Sequence, residues 1–276
     1  MVNGRTWLLI DAPGVCHQAY HAIPELDWRG VRTEVLYGMF NTVRSLSRQF
    51  PAATLCFAFD SKHSKRREAY PPYKTNRKPK NVEDQHKRDE LYKQMDVLRR
   101  ELLPNIGFAN VFCQKGIEAD DLIAVACKGI GKQDTAFIAS SDKDLFQLLA
   151  PNVIFWSLRR KETYTDKAFK REWGIEPSQW AYAKAIAGDP GDNLPGIPGV
   201  GLKTAAKFLN GTLGKHLQAH GKIEADIKYQ TANIPLMRLP FKGTKPLTLE
   251  WQPGWDRKAW NKIMRAHGLK TLVDGF

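Results

Sequence analysis

Nine carboxylates stand where a metal site could use them, in a chain that is otherwise strongly basic. Asp11, Asp60 and Asp142 each follow an apolar, strand-like run, in the last case through Ser140-Ser141. Glu118, Asp120 and Asp121 crowd into Gly116-Ile117-Glu118-Ala119-Asp120-Asp121. Asp144 lies two residues past Asp142, and Asp189 and Asp192 complete the set. Acids gathered at one point repel each other unless cations neutralise them. Oxygen ligands without a His or Cys cluster suit Mg²⁺ or Mn²⁺. Two such ions about 4 Å apart can generate a nucleophile and neutralise charge at phosphorus. An acidic, metal-collecting centre in a basic protein points to phosphodiester chemistry on nucleic acid.

Those acids need elements to hold them. Apolar runs of strand length occupy 7–10, 52–59, 135–139 and 153–156, with a weaker one over 110–113. Helix-compatible stretches separate them at 33–50, 85–103 and 119–128. The alternation predicts an α/β fold with a mostly parallel central sheet and flanking helices. Ligands of such sheets collect at the carboxyl ends of the strands, so Asp11, Asp60 and Asp142 are expected along one rim. A single Asp after a strand is often only a cap or turn former. Three of them, joined by Glu118 and Asp120, are harder to dismiss in that way. The α/β core is expected over 1–172 and a smaller helical region, richer in Gly and Pro, over 173–276. Residues 212–250 carry no readable role.

The totals bound the partners. With 276 residues and 42% hydrophobic content the chain can bury a real core. A net charge of +13 favours polyanions, nucleic acid first, over the blander reading of a basic protein without such a partner. No stretch approaches the roughly 18 apolar residues of a membrane span. The N-terminal MVNGRTWLLIDAPG lacks the apolar core and cleavage site of a signal peptide. Cys16, Cys56, Cys113 and Cys127 are widely spaced, so disulfides and zinc are not expected and a reducing cytoplasm is.

Two segments bear on nucleic acid. Residues 61–80 hold eight Lys and Arg against one Glu, with Tyr70, Pro71, Pro72 and Tyr73 among them. A solvated loop is the ordinary reading of such a run, but cations interleaved with rings also suit phosphates and stacked bases. With the mixed-charge helix that follows, the stretch 61–105 reads as a basic helical arch inserted over the active rim. The second segment, Gly196-Ile197-Pro198-Gly199-Val200-Gly201-Leu202-Lys203-Thr204-Ala205, resembles a helix-hairpin-helix, with the whole motif spanning about 185–210. Gly199 and Gly201 let backbone approach a phosphate. The helix from Leu202 aims free N–H groups at it, and Lys203 and Thr204 add a charge and a hydroxyl. Such contacts hold a duplex without reading sequence. The GxxxxGK[ST] pattern is absent, so ATP binding is not indicated.

These residues together resemble the 5′-nuclease domain of bacterial DNA polymerase I and the related bacteriophage flap endonucleases, which are 5′ to 3′ exonucleases. The likeness runs nearly end to end, through IDAPGVCHQAYHAIPEL, TEVLYGMFNTVRSL, FAFDSKHSKRREAYPPYKTNR, GIEADDLIA, SSDKDLFQLL and GDPGDNLPGIPGVGLKTA. It implies a structure-specific nuclease that hydrolyses DNA by two-metal catalysis and leaves 5′ phosphates. Asp11, Asp60, Glu118 and Asp120 match residues around the first ion, and Asp142, Asp144 and Asp189 those around the second. Asp121 and Asp192 match acids acting nearby. Lys74 and Arg77 match arch residues at the scissile phosphate, where they would stabilise developing charge. Arg66 and Arg67 are grouped with them as DNA contacts, and Tyr73 matches a position that stacks on a terminal base. The hairpin matches the duplex-binding element, with room for a potassium ion among its backbone carbonyls.

The implied substrate is DNA with 5′ flaps, overhangs or ends, and the implied setting is a bacterial or virus-infected bacterial cell. The length reads as a stand-alone nuclease. It leaves open whether a DNA polymerase is a partner, and nothing demands more than a monomer. Departures from the family pattern are Asp11-Ala12-Pro13 for Asp-Gly-Ser, Gln18 for an Arg, and Arg66-Arg67 for Phe-Arg. They bear on the loop around Asp11 and on handling of the 5′ end. Two other readings stand beside this one: a non-catalytic branched-DNA binding protein of the same fold, and an RNA-directed nuclease of the PIN-like type. His17 and His21 are expected to pack or hydrogen-bond rather than to act as bases. Five tryptophans, at 173, 180, 251, 255 and 260, are expected in the core or at interfaces.

Overall fold

The computed structural model describes residues 4–274. Its centre is a six-stranded sheet built from β1 (Thr6–Asp11), β4 (Ala53–Ala58), β5 (Asn110–Phe112), β6 (Thr135–Ser140), β7 (Val153–Ser157) and β8 (Glu162–Tyr164). A separate two-stranded hairpin joins β2 (Asp27–Trp28) to β3 (Val31–Arg32). The main order is β5-β4-β1-β6-β7-β8, parallel throughout except for the antiparallel edge strand β8. Every residue of β4 is buried, as expected of a parallel strand covered on both faces. From β1 the chain moves outward to β4 and β5, then returns to the other side of β1 as β6. The order therefore reverses between β1 and β6, which opens a crevice at their carboxyl ends.

Alternate strand residues feed two cores. Leu8, Ile10, Leu55 and Phe57 face α1 (Ala12–Ala22), α2 (Glu34–Gln49), α4 (Val82–Val97) and α5 (Leu103–Ile106). Trp7, Leu9, Ala136 and Ile138 face α6 (Ala119–Gly129), α7 (Asp166–Trp173), α8 (Trp180–Ala187), α9 (Leu202–Leu209) and α10 (Gln218–Thr231). The second core thus runs without a break from the sheet into the helical region. A third, small cluster joins Tyr73 to Ala181, Ala185, Leu194, Leu236 and Met237. It ties the arch, which begins with α3 (Lys65–Ala69), to α8 and α11 (Ile234–Met237).

Only the front of the arch stands clear of the core. Leu91, Met95, Leu98 and Leu102 are buried with α1 and α2. Gln94 accepts from the N–H groups of Val35 and Leu36 at the start of α2, at 3.1 and 3.4 Å. The segment after residue 240 returns to the sheet. Asn110 and Gln114 pair through side-chain amides with the backbone of Glu250 and Lys245, covering edge strand β5. α12 (Arg257–Ala266) follows and buries Trp260 and Met264 in the first core. Trp180 is likewise buried, and Trp173, Trp251 and Trp255 pack at the margins. All four cysteines are free.

Candidate active site

Asp11 ends β1 and caps α1. Its Oδ1 accepts from the Gly14 N–H at 2.9 Å, and its Oδ2 accepts from the Ser140 hydroxyl at 2.7 Å. That second bond spans the crevice between β1 and β6. The loop left in doubt by Asp11-Ala12-Pro13 is a helix start, with Pro13 in the first turn where its missing N–H has no intrahelical role. Gly14 is required there, because a Cβ would lie 2.3 Å from Asp11 Oδ2.

On the β6 side, Ser140 Oγ accepts from the Asp142 N–H at 3.0 Å, and Asp142 caps the turn containing Asp144. On the β4 side, Asp60 accepts from the Ala119 N–H at the start of α6, at 2.8 Å. Glu118, one residue earlier, receives Ser64 Oγ at 3.0 Å, Tyr73 Oη at 3.0 Å and Lys74 Nζ at 2.9 Å.

Charge crowding is visible in the acid strengths. Burial, then the neighbours Asp142 and Asp11, push Asp120 well above the usual carboxylate range. Burial raises Asp11, Asp142 and Asp144 as well. Loss of water, then Glu118, pushes Asp60 up to about 6. Glu118 goes the other way: burial is outweighed by Lys74 and Arg66. Burial would lower Lys74, yet Glu118, Asp192 and Asp60 hold its ammonium up at about 12.

Lys74 and Arg77 face this centre. Lys74 adopts a left-handed backbone (φ 54°), and its N–H donates to the Asp192 carbonyl at 2.9 Å. Arg77 donates to Asp192 Oδ1 at 2.5 Å and to the Gly191 carbonyl at 3.0 Å. The arch loop and the 189–193 turn are thereby stitched together across the acids. One carboxylate oxygen each from Asp144, Asp189 and Asp192 lies within 4.8 Å of the others. Among the described residues this is the one group of three or more potential ligands so gathered.

A residue that the sequence reading passed over already answers that negative charge. Lys184 is buried in α8, reaching Asp189 at 2.7 Å and pairing with Asp144. Burial would lower it, but the two acids raise it, and it holds Asp189 below the usual range against the effect of burial. Its signal in the sequence is a lone lysine in the apolar run AYAKAIA, which needs an acid partner once buried. The donor set is all oxygen, and most of its crowded carboxylates are raised for want of a cation, so it fits Mg²⁺ or Mn²⁺.

Three expectations are corrected. Asp121 does not join the acidic centre: it is fully buried with both oxygens on Arg66, at 2.5 and 2.7 Å, and it also receives the Phe241 N–H at 2.6 Å. Arg66 is 3% exposed, donates to the Leu236 carbonyl and lies under the Phe241 ring, so no DNA phosphate can reach it. Tyr73 is 2% exposed, and its ring packs in the third cluster, out of reach of a terminal base. Asp192, expected near the two ions, is the third member of the gathered trio. Arg67 is exposed on the arch.

The hairpin forms as expected. Gly188 and Gly196 touch backbone to backbone; a Cβ on Gly188 would lie 2.4 Å from the Gly196 nitrogen. Gly201 caps α9, and a Cβ there would meet no protein atom within 4 Å, so the first N–H groups of the helix are open to a phosphate. Thr204 lies in that first turn. Lys203 turns back over Trp173, 4.0 Å from its ring centroid, and donates to the Glu172 carbonyl. The Pro198 carbonyl of the hairpin accepts from Lys222 at 3.4 Å.

A reversed-order parallel sheet with acids on its rim, a cationic arch above and a glycine-rich hairpin beside it is the architecture on which the comparisons bear. The family described as "5'-3' exonuclease, N-terminal resolvase-like domain" matches residues 6–174, and the chain belongs to it. DNA polymerase I of Mycobacterium leprae is 31% identical over 290 residues, covering 97% of this chain. The chain spans about a third of the length of that relative, 31%. A zinc-bound T5 5′-exonuclease superposes with a TM-score of 0.70 at 20% identity, covering 98% of both chains. The bacteriophage T5 D15 flap endonuclease, solved with DNA and metal ions, gives 0.69 at 21% identity and the same coverage. Human GEN1 bound to Holliday junction DNA gives 0.61 at 17% identity, covering 97% of this chain and 68% of its own. No described helix is long and apolar enough to cross a membrane.

Proposed function

We propose that the chain is a structure-specific 5′ nuclease, a flap endonuclease and 5′ to 3′ exonuclease that hydrolyses DNA phosphodiesters and leaves 5′ phosphates. The observation that carries this reading is the meeting of Asp144, Asp189 and Asp192 with Lys74 and Arg77 at the mouth of the β1–β6 crevice. Asp144, Asp189 and Asp192 would hold one divalent ion, and Asp11, Asp60, Glu118, Asp120 and Asp142 would serve a second. Such ions, when bound, activate a water and neutralise charge on the phosphate.

The chain's own residues do the rest. Lys74 and Arg77 would leave Glu118 and Asp192 for the non-bridging oxygens of the scissile phosphate and stabilise charge developing there. Ser140 fixes the Asp11 carboxylate, and the α6 N-terminus fixes Asp60, so neither has to reorient during reaction. The hairpin around Gly199 and Gly201, with Thr204, would grip duplex phosphates, while Arg67 and the exposed arch cations take the single strand. Specificity then comes from branch geometry and needs no base code. A role in DNA replication and repair follows from that substrate, with a polymerase as a natural supplier of flaps. Four free cysteines support a reducing, cytoplasmic setting.

A 5′-labelled DNA flap tests the proposal. Cleavage to a short 5′ fragment is expected with Mg²⁺, and is lost in EDTA and in Asp142→Ala. Salt-sensitive binding with no cleavage under any metal would leave a branched-DNA binding protein instead. Equal cleavage of a matched RNA flap would favour the PIN-like reading.

A further inference from the structure

His17 and His21 keep much of their surface exposed on α1, and His21 packs edge-on against the Tyr20 ring at 5.4 Å. The two imidazole rings are near parallel, with centroids 6.5 Å apart and 19° between planes. Both line a cleft of about 440 Å³ whose wall also includes Asp60 and Glu118. That volume is within the roughly 300–1,000 Å³ of small-ligand sites.

The cleft is rich in cations: Arg77, Lys78, Lys80, Lys87 and Arg88 line it, with Asp84 among them, and Arg77 and Arg88 act directly on His17. Lys62, Arg67 and Lys74 also line it, the last paired with Glu118, and Tyr20 and Tyr92 contribute phenols. Though His17 keeps exposed surface, partial loss of water within the cleft, then His21, Arg88 and Arg77, push it below its ordinary value. A polyanion brought into this cleft reverses the field, because each phosphate offsets the neighbouring cations and favours a charged imidazole. An imidazolium donates two N–H bonds, and its bonds to phosphate are charge-assisted.

We propose that His17 and His21 form a phosphate contact for the single-stranded 5′ segment in the arch cleft, and that His17 takes up a proton from solvent as the strand enters. This rests on the nuclease reading above. It also supplies a strand contact on the wall opposite the arch. Tyr73, buried, cannot provide one. Because the bound form holds more protons, flap affinity rises as pH falls through the window between the free and bound imidazole values. The limit is about tenfold per pH unit for each proton taken up.

Calorimetry at neutral pH, without divalent metal, in two buffers of different ionisation heat reads proton uptake directly. The probes are a 5′-flap DNA and the same duplex lacking the flap. The flap is expected to bring an additional uptake of about one proton in the wild type. That increment is expected to vanish in the His17→Phe/His21→Phe variant, which keeps two rings and loses the nitrogens. Its affinity for the flapless duplex stays unchanged. A His17→Gln/His21→Gln variant guards against a folding artefact and should lose the same increment. An identical increment in wild type and variants, or none in the wild type, overturns the inference while leaving the nuclease reading intact. A flap that binds no better than the flapless duplex at any pH overturns both.

Discussion

Arg66→Ala removes one partner of an enclosed ion pair. Asp121 would keep its charge with only the Phe241 N–H at 2.6 Å and the Glu118 N–H at 3.3 Å for company. Stranding one member of a buried pair costs about 3–5 kcal/mol. At about 2–4 °C per kcal/mol for a chain of this size, Tm falls by about 6–20 °C. Asp121→Ala strands the guanidinium beneath Phe241 and costs a similar amount. The double variant Arg66→Met/Asp121→Leu leaves no buried charge and should regain most of the loss. Thermal melts give the stabilities, and flap-binding titrations across salt, well below each variant's Tm, give the DNA contribution. The folded double variant should bind flap DNA with the wild-type salt slope. A true phosphate contact would instead lower that slope by about 1. Arg66→Ala with wild-type Tm and a reduced salt slope would refute the assignment and return Arg66 to the DNA.

The acids and the hairpin give further tests. Asp60, held at about 6 in the metal-free protein, takes up a proton as pH falls through that value, so Mg²⁺ must displace it and the Mg²⁺ concentration that supports cleavage should rise below pH 6. Its folded value exceeds the unfolded one, so the metal-free fold binds more protons between the ordinary carboxylate range and pH 6. Its contribution to metal-free stability therefore falls as pH rises across that window, and Asp60→Asn should flatten the dependence in melts. Lys184→Met leaves Asp144 and Asp189 without their cation, so the metal-free Tm should fall and the rise on adding Mg²⁺ should exceed the wild type's. Equal Mg²⁺ shifts would show that Lys184 does not answer the charge the ion would answer. Gly188→Ala places a methyl 2.4 Å from the Gly196 nitrogen at a φ of +80°, so the hairpin must open and affinity for flapless duplex should weaken.

The strands and their terminal acids were legible because a fully buried parallel strand is a continuous apolar run, and its first charge marks the rim. Asp11, Asp60 and Asp142 needed no more than that. What failed was the choice between neighbours. Asp120 and Asp121 are adjacent in a helix, about 100° apart around its axis, so they start out in different directions. The residues around them do not say which one turns inward. That is decided by Arg66, which reaches Asp121 across 55 positions of sequence from the foot of the arch. The same holds for Asn110 and Gln114, whose amides find the backbone at 250 and 245 across more than 130 positions. Lys184 stood closer to view, since a lysine inside an alanine-rich apolar turn must meet an acid once buried, and Asp189 follows it by five residues. The polar residues of this protein are therefore divided by partner, not by type. Asp144 and Asp189 share the buried Lys184, and Glu118 meets Lys74 and Arg66 through one oxygen, Oε2, whereas Asp121 gives both of its oxygens to Arg66. Asp121, whose cation is sealed in with it, belongs to the fold.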